Sequence, residues 1–175
     1  MKKILFIIII CIFVYFIYNG ITDRNIKYLY IGSNDYNRYN ILIKDNYIMK
    51  EYTTYIRDDD YRVMDLINDI VDNRKINNRK FQNLLVKSNI IVISTGINDL
   101  EYKEKLNYNY VDELINDIEK LLKLIRKYNK DTIYVLGYYD KNEYYKYTNK
   151  RLKEICKTNN VKYIDIEKSI SKQLY

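Results

Sequence analysis

The chain has 175 residues, with 30 lysines and arginines against 23 acidic residues and a formal net charge of +7. This length allows one domain with a packed core and a short additional segment. Basic and acidic residues alternate along the predicted helices, as on a solvated surface, so we do not expect nucleic-acid binding. The sequence contains no histidine, which excludes ordinary serine-histidine chemistry within it.

The first predicted element is an apolar segment near the amino terminus. Lys2 and Lys3 precede an unbroken apolar run over residues 4–18, and Asn19 interrupts it. As a helix this run is about 22 Å long, shorter than a hydrocarbon core of ~30 Å unless flanking residues such as Ile21 contribute. Because of its apolar character, we expect it to contact the membrane.

The flanks of this run distinguish a membrane anchor from a cleaved signal. No small-residue cleavage pattern follows the run. We therefore predict a signal anchor over residues 1–21, a single-pass transmembrane helix in the cell membrane, with residues 22–175 forming one domain on the extracytoplasmic side. Cleavage near Gly20, which would release a secreted domain, is the alternative.

The domain contains four short runs rich in β-branched and aromatic residues. Such runs, bounded by turn-forming residues or helix ends, are typical of buried parallel strands. They cover residues 26–31, 89–94, 131–136 and 161–166. The segment 36–57 fits this pattern least well, although Tyr39, Ile41 and Ile43 alternate as in a strand.

Helical periods lie between these strands. Apolar stripes predict a helix from Val63, a shorter one around Phe81, a long one over 111–128 and a more polar one over 143–157. The acidic triplet Asp58 to Asp60 is placed to cap the first of these helices, and we favour that role over cation binding.

This alternation of strands and helices predicts a three-layer α/β/α sandwich with a mainly parallel sheet. Ligands of such folds bind beyond the carboxyl ends of the strands. The candidate site residues Ser33, Asn34, Asn98 and Asp99 all follow strand ends, next to Gly32 and Gly96.

The same residues also have a purely structural interpretation. Gly32 and Gly96 would permit tight turns after the strands, and Ser33, Asn34 and Asn98 would cap the helices that follow. Asn98 and Asp99 would alternatively bond backbone groups of neighbouring loops and hold the edge of the sheet together.

The two cysteines do not indicate a disulfide or a metal site. Cys11 lies within the apolar run, and Cys156 lies in a predicted helix far along the chain, beyond the reach of a residue in the bilayer. The usual histidine and cysteine ligands of zinc are missing as well. We expect neither a metal nor a cofactor.

At these strand ends the chain resembles the SGNH hydrolases, also called GDSL-type lipases and esterases, a family with a flavodoxin-like sandwich. The resemblance covers most of residues 26–170. Residues 94–100, Ser-Thr-Gly-Ile-Asn-Asp-Leu, look like the family's Gly-x-Asn-Asp block, whose asparagine helps to form the oxyanion hole. The segment from Asp60 to Leu66 looks like the block that carries a further oxyanion-hole glycine.

The chain departs from the family at the positions that carry chemistry. The family's first strand ends in Gly-Asp-Ser, and aligning Gly32 with that glycine puts Ser33 in place of the aspartate and Asn34 in place of the nucleophile. Asp60 stands where the middle glycine is expected, and its carboxylate would repel an oxyanion. The family's Asp-x-x-His block would begin near Asp165, and no histidine follows there.

From this comparison we predict a membrane-anchored, extracytoplasmic SGNH-like domain that is catalytically inactive and acts as a binding or scaffold module. Its cleft would take an acyl or carbohydrate ligand, and the sequence leaves the identity of any protein partner open. The alternative is an active esterase, for lipids or acetylated cell-wall sugars, that uses Ser33 with an unusual base or with a histidine supplied by a partner chain. A plain α/β domain with accidental motif matches is the third possibility.

Overall fold

A computed structural model of the chain describes residues 26–32, 53–57, 61–139 and 141–171. The strands in these ranges are β1 (Ile26–Gly32), β2 (Thr53–Arg57), β3 (Lys75–Ile76), β4 (Arg79–Lys80), β5 (Ser88–Ser94), β6 (Thr132–Leu136) and β7 (Lys162–Ile164). Five of them form one sheet in the order β2-β1-β5-β6-β7, and each neighbouring pair is parallel. The predicted α/β fold with a mainly parallel sheet is therefore confirmed.

The central strands are apolar on both faces of the sheet. In β1, Leu29 and Ile31 point to one face and are fully buried, while Tyr28 and Tyr30 are buried on the other. A parallel strand covered on both faces needs such a continuous apolar run, which explains why β1, β5 and β6 are recognisable in the sequence.

The helices are α1 (Val63–Val71), α2 (Phe81–Lys87), α3 (Ile97–Glu101), α4 (Tyr108–Tyr128), α5 (Glu143–Thr158) and α6 (Ile166–Ser171). Apolar residues of α1, α2, α4 and α5 pack in one cluster with Leu29 and Ile31, whereas Ile166 of α6 packs with Tyr28 and Tyr30. The helices that connect β2 to β5, β5 to β6 and β6 to β7 thus share one face. Right-handed crossovers that advance in one direction along a sheet require this arrangement.

Several elements differ from the sequence-based expectation. The second strand of the sheet is β2, whereas Tyr39, Ile41 and Ile43 lie outside the described residues. The last strand ends at Ile164 rather than at residue 166, because Asp165 caps α6 by accepting a hydrogen bond from the backbone N–H of Lys168 at 3.2 Å. The short elements α3, α6 and the β3-β4 hairpin were not predicted.

The amino end of α1 is stabilised by its own first turn. The side chain of Asp65 accepts a hydrogen bond from the backbone N–H of Arg62 at 3.0 Å. This bond satisfies a backbone donor that has no partner within the helix. The predicted caps Asp58 to Asp60 lie outside the described residues.

None of the helices in the described ranges combines the length and the apolar character needed to cross a membrane. The predicted anchor over residues 1–21 lies outside those ranges.

Candidate functional site

The candidate site lies at a topological switch point of the sheet. Strand β1 has β2 on one side and β5 on the other, so the chain leaves β1 toward one edge and later returns to its opposite side. Folds of this kind bind ligands beyond the carboxyl ends of the strands at that point. Gly32 pairs with Ser94 at these ends, which brings Gly32 near Gly96 and the helix α3 that carries Asn98. Ser33 and Asn34 lie outside the described residues.

Both strand-end glycines are required by their surroundings. Gly32 has a φ of 155°, and a Cβ atom at this position would overlap the carbonyl oxygen of Ser94. Gly96 has a φ of 89° and precedes the first turn of α3, where a Cβ atom would overlap the hydroxyl of Tyr138. The absence of side chains therefore allows three strand ends to approach one another closely.

Asn98 connects the end of β5 to the segment before α1. Its side chain is 7% exposed, and its Nδ2 donates a hydrogen bond to the carbonyl oxygen of Tyr61 at 2.8 Å. The predicted capping role of Asn98 is wrong, because Gly96 occupies the N-cap of α3. The predicted bond from Asn98 to a neighbouring loop is confirmed.

Asp99 binds the same segment from the next position. Its Oδ2 accepts a hydrogen bond from the backbone N–H of Val63 at 3.1 Å, as the structural interpretation expects. Burial raises the pKa of the Asp99 carboxyl, and backbone N–H donors and the guanidinium of Arg62 offset part of that rise. Asn98 and Asp99 together therefore fix the backbone of residues 61–63.

Tyr138 and Asn149 complete this edge, and the sequence analysis did not identify either of them. The hydroxyl of Tyr138 donates to the carbonyl oxygen of Thr95 at 2.5 Å. Asn149 of α5 accepts from the backbone N–H of Tyr138 at 2.7 Å and donates to its carbonyl oxygen at 2.8 Å. The only sequence signal was Gly137, which directly follows a predicted strand.

Asp165 and Lys168 lie where the SGNH resemblance implies an Asp-x-x-His block. Asp165 directly follows β7, and Lys168 occupies the position of the histidine. The Nζ of Lys168 lies 3.8 Å from Oδ2 of Asp165, and the lysine side chain is 77% exposed. A lysine serves as a base where burial or a neighbouring cation removes its proton. Lys168 is instead exposed and lies beside a carboxylate.

Cys156 provides no alternative nucleophile. It is buried in α5, and burial raises the pKa of its thiol to about 12. Since the thiolate is the reactive form, this side chain is inert at neutral pH. Within the described ranges, no group of three histidine, cysteine or acidic side chains is arranged to hold a metal ion.

Comparison with known proteins identifies the fold. No protein-family model and no curated protein sequence matches this chain. Among solved structures, the crystal structure of the acetyl xylan esterase AlAXEase matches with a TM-score of 0.58 and 13% identity, over 82% of this chain and 78% of that one. The fold is that of the SGNH hydrolases.

A family 3 carbohydrate esterase from Clostridium thermocellum matches the chain with a TM-score of 0.47 and 15% identity, over 79% of this chain and 77% of that one. At 13% identity, the likeness to the acetyl xylan esterase establishes the fold alone and leaves the activity to be argued from the site. In this SGNH fold, the asparagine and the aspartate of the Gly-x-Asn-Asp block bond backbone groups of the neighbouring segment.

Proposed function

We propose that the chain is a membrane-anchored, extracytoplasmic SGNH-like domain that does not hydrolyse esters and acts as a binding or scaffold module. The observation that carries this proposal is the pair formed by Asp165 and Lys168. The position of the family's base holds Lys168, whose side chain is 77% exposed and whose Nζ lies 3.8 Å from Oδ2 of Asp165. This lysine lacks the burial and the neighbouring cation through which lysines become bases in enzymes.

Two features of the sequence support the loss of catalysis. The alignment on Gly32 places Asn34 at the nucleophile position. Asp60 stands where the family has its middle glycine, and its carboxylate would repel an oxyanion. Removing the nucleophile or the base of a triad lowers turnover by about 10⁴ to 10⁶, and removing one oxyanion donor lowers it by about 10² to 10³.

A hydrolysis assay tests this proposal. The full-length chain in non-ionic detergent should hydrolyse p-nitrophenyl acetate no faster than its Ser33→Ala variant, with an active SGNH esterase as the positive control. A wild-type rate about 100-fold above the variant would refute the proposal and favour the esterase that uses Ser33. A fluorophosphonate probe gives an independent result, since labelling of Ser33 in intact membranes would also contradict inactivity.

Membrane anchoring is a separate part of the proposal and rests on the apolar run at residues 4–18. The chain should remain in the membrane pellet after alkaline carbonate extraction, and protease added to spheroplasts should digest the domain. The double substitution Ile9→Lys and Phe13→Lys should abolish insertion, because each lysine costs about 2.5–3.5 kcal/mol near the centre of a membrane-spanning helix. Recovery of the wild-type chain in the soluble cytoplasmic fraction would refute anchoring.

A further inference from the structure

A cavity lies at the amino-terminal edge of the sheet, opposite the edge that carries the candidate site. It is formed by the end of α4, the first residues of β6 and the turn before β7. Its volume is about 250 Å³. Neither the resemblance nor the proposed function involves this edge.

Arg126 is held in a fixed position at this cavity. Its Nη1 donates to the carbonyl oxygen of Asp131 at 2.6 Å, and its Nη2 donates to the carbonyl oxygen of Asn160 at 2.5 Å. These bonds use two of the five guanidinium N–H donors, so three remain. Arg126 forms no ion pair within the described ranges, and burial lowers its pKa, an effect that the charge of Asp131 only partly offsets.

Further donors surround the guanidinium. Lys130 and Lys162 line the cavity and form no ion pair with the residues that the structure describes. The Nζ of Lys130 donates to the carbonyl oxygen of Arg126 at 2.6 Å. Thr132 and Asn160 also line the cavity, and the hydroxyl of Thr132 and the side-chain amide of Asn160 make no hydrogen bond in the described part of the chain.

The charges at the cavity are unbalanced. Three cationic residues, Arg126, Lys130 and Lys162, line it together with a single acidic residue, Asp131, which leaves an excess of two positive charges. A buried or partly buried guanidinium is stabilised by an anion, and its planar arrangement of donors matches phosphate oxygens. The cavity thus offers more donors and more positive charge than the protein itself neutralises.

We propose that this cavity binds a small phosphate monoester. At neutral pH such a group carries a charge of about −1.5 to −2 and three acceptor oxygens, which matches the excess positive charge and the available donors. A monocarboxylate would neutralise only half of the charge, and a neutral sugar none of it. The volume lies just below the range of ~300–1,000 Å³ that is usual for ligand pockets, which suits a small phosphorylated molecule.

A titration of the full-length, ¹⁵N-labelled chain in non-ionic detergent tests this proposal. Glycerol 3-phosphate should produce saturable amide shifts at Thr132 and Lys162, and glycerol should produce none. Lys130→Gln and Lys162→Gln should each raise the Kd about two- to fivefold, as expected for partly exposed charge pairs, and the double variant about tenfold. Added salt should also weaken binding, because it screens exposed charges.

The control variant carries Lys150→Gln and Lys153→Gln, two exposed lysines of α5 that do not line the cavity. It removes the same charge and should leave the Kd unchanged. Equal weakening in both double variants would overturn the proposal in favour of general charge attraction, and the absence of saturable shifts would overturn it outright. Arg126 is left intact because its bonds to Asp131 and Asn160 support the fold. The outcome is independent of the esterase assay.

Discussion

Truncation of Asn98 tests whether the side chain of this residue stabilises the fold. Asn98→Ala removes the hydrogen-bond donor to the carbonyl oxygen of Tyr61. Since Asn98 is only 7% exposed, that oxygen would be left without this donor in a buried site. Leaving a buried acceptor without its partner costs about 1–3 kcal/mol, so we expect a loss of about 2 kcal/mol in the free energy of unfolding. For a domain of this size that corresponds to a fall in Tm of about 4–8 °C.

Urea and thermal unfolding of the full-length chain, followed by circular dichroism, would measure this loss without any substrate. Asn98→Asp is the nearly isosteric variant, and it should be destabilised at least as much because it places a carboxylate against the carbonyl of Tyr61. Asn116→Ala, at an exposed position of α4, is the control and should stay within about 0.5 kcal/mol of the wild type. If Asn98→Ala also stayed within that margin, the structural interpretation of Asn98 would be wrong.

Three further predictions concern single residues. The pKa of Asp99 is raised in the folded state above the ordinary value of 3.8. Asp99 therefore contributes to the free energy of unfolding at a pH below 3.8, and this contribution is lost as the pH rises through the folded-state pKa. Asp99→Asn, which keeps an acceptor, should therefore be more stable relative to the wild type at pH 7 than at pH 3.5 in urea titrations; an equal difference at both pH values would contradict this. Gly32→Ala should cost more than about 3 kcal/mol because its Cβ would overlap Ser94, and an unchanged Tm would refute the close approach. Cys156 should resist iodoacetamide at pH 8 until urea unfolds the chain, whereas rapid labelling of the folded protein would show a more acidic thiol.

The sequence predicts the central strands well because their physical requirements are local. Strands β1 and β5 are covered on both faces and must be apolar along their length, so they are visible without a structure. Strand β2 is short, partly polar and at the edge of the described sheet, where it pairs only with β1, and its sequence lacks that signal. The five-residue helix α3 is too short to show a helical period.

The candidate site was predicted only in part, because its contacts join distant segments. The sequence placed Gly32, Asn98 and Asp99 at the correct edge, since parallel strands end on one side of a sheet. The partner of Asn98 is a backbone carbonyl 37 positions away, and no local pattern encodes that distance. Lys168 is not predicted from the sequence, because a histidine would mark this position and the chain contains none.

The bonds of Asn98 and Asp99 to residues 61–63 have a consequence for assigning activities from motifs. They hold the backbone in place whether or not an ester is cleaved beside them. Selection for stability alone would therefore retain the Gly-x-Asn-Asp motif in a lineage whose chemistry has disappeared. A motif search that equates these residues with turnover would assign esterase activity to such chains. The residue three positions after the aspartate that follows the last strand, Lys168 in this chain, is the more direct indicator of whether a catalytic base is present.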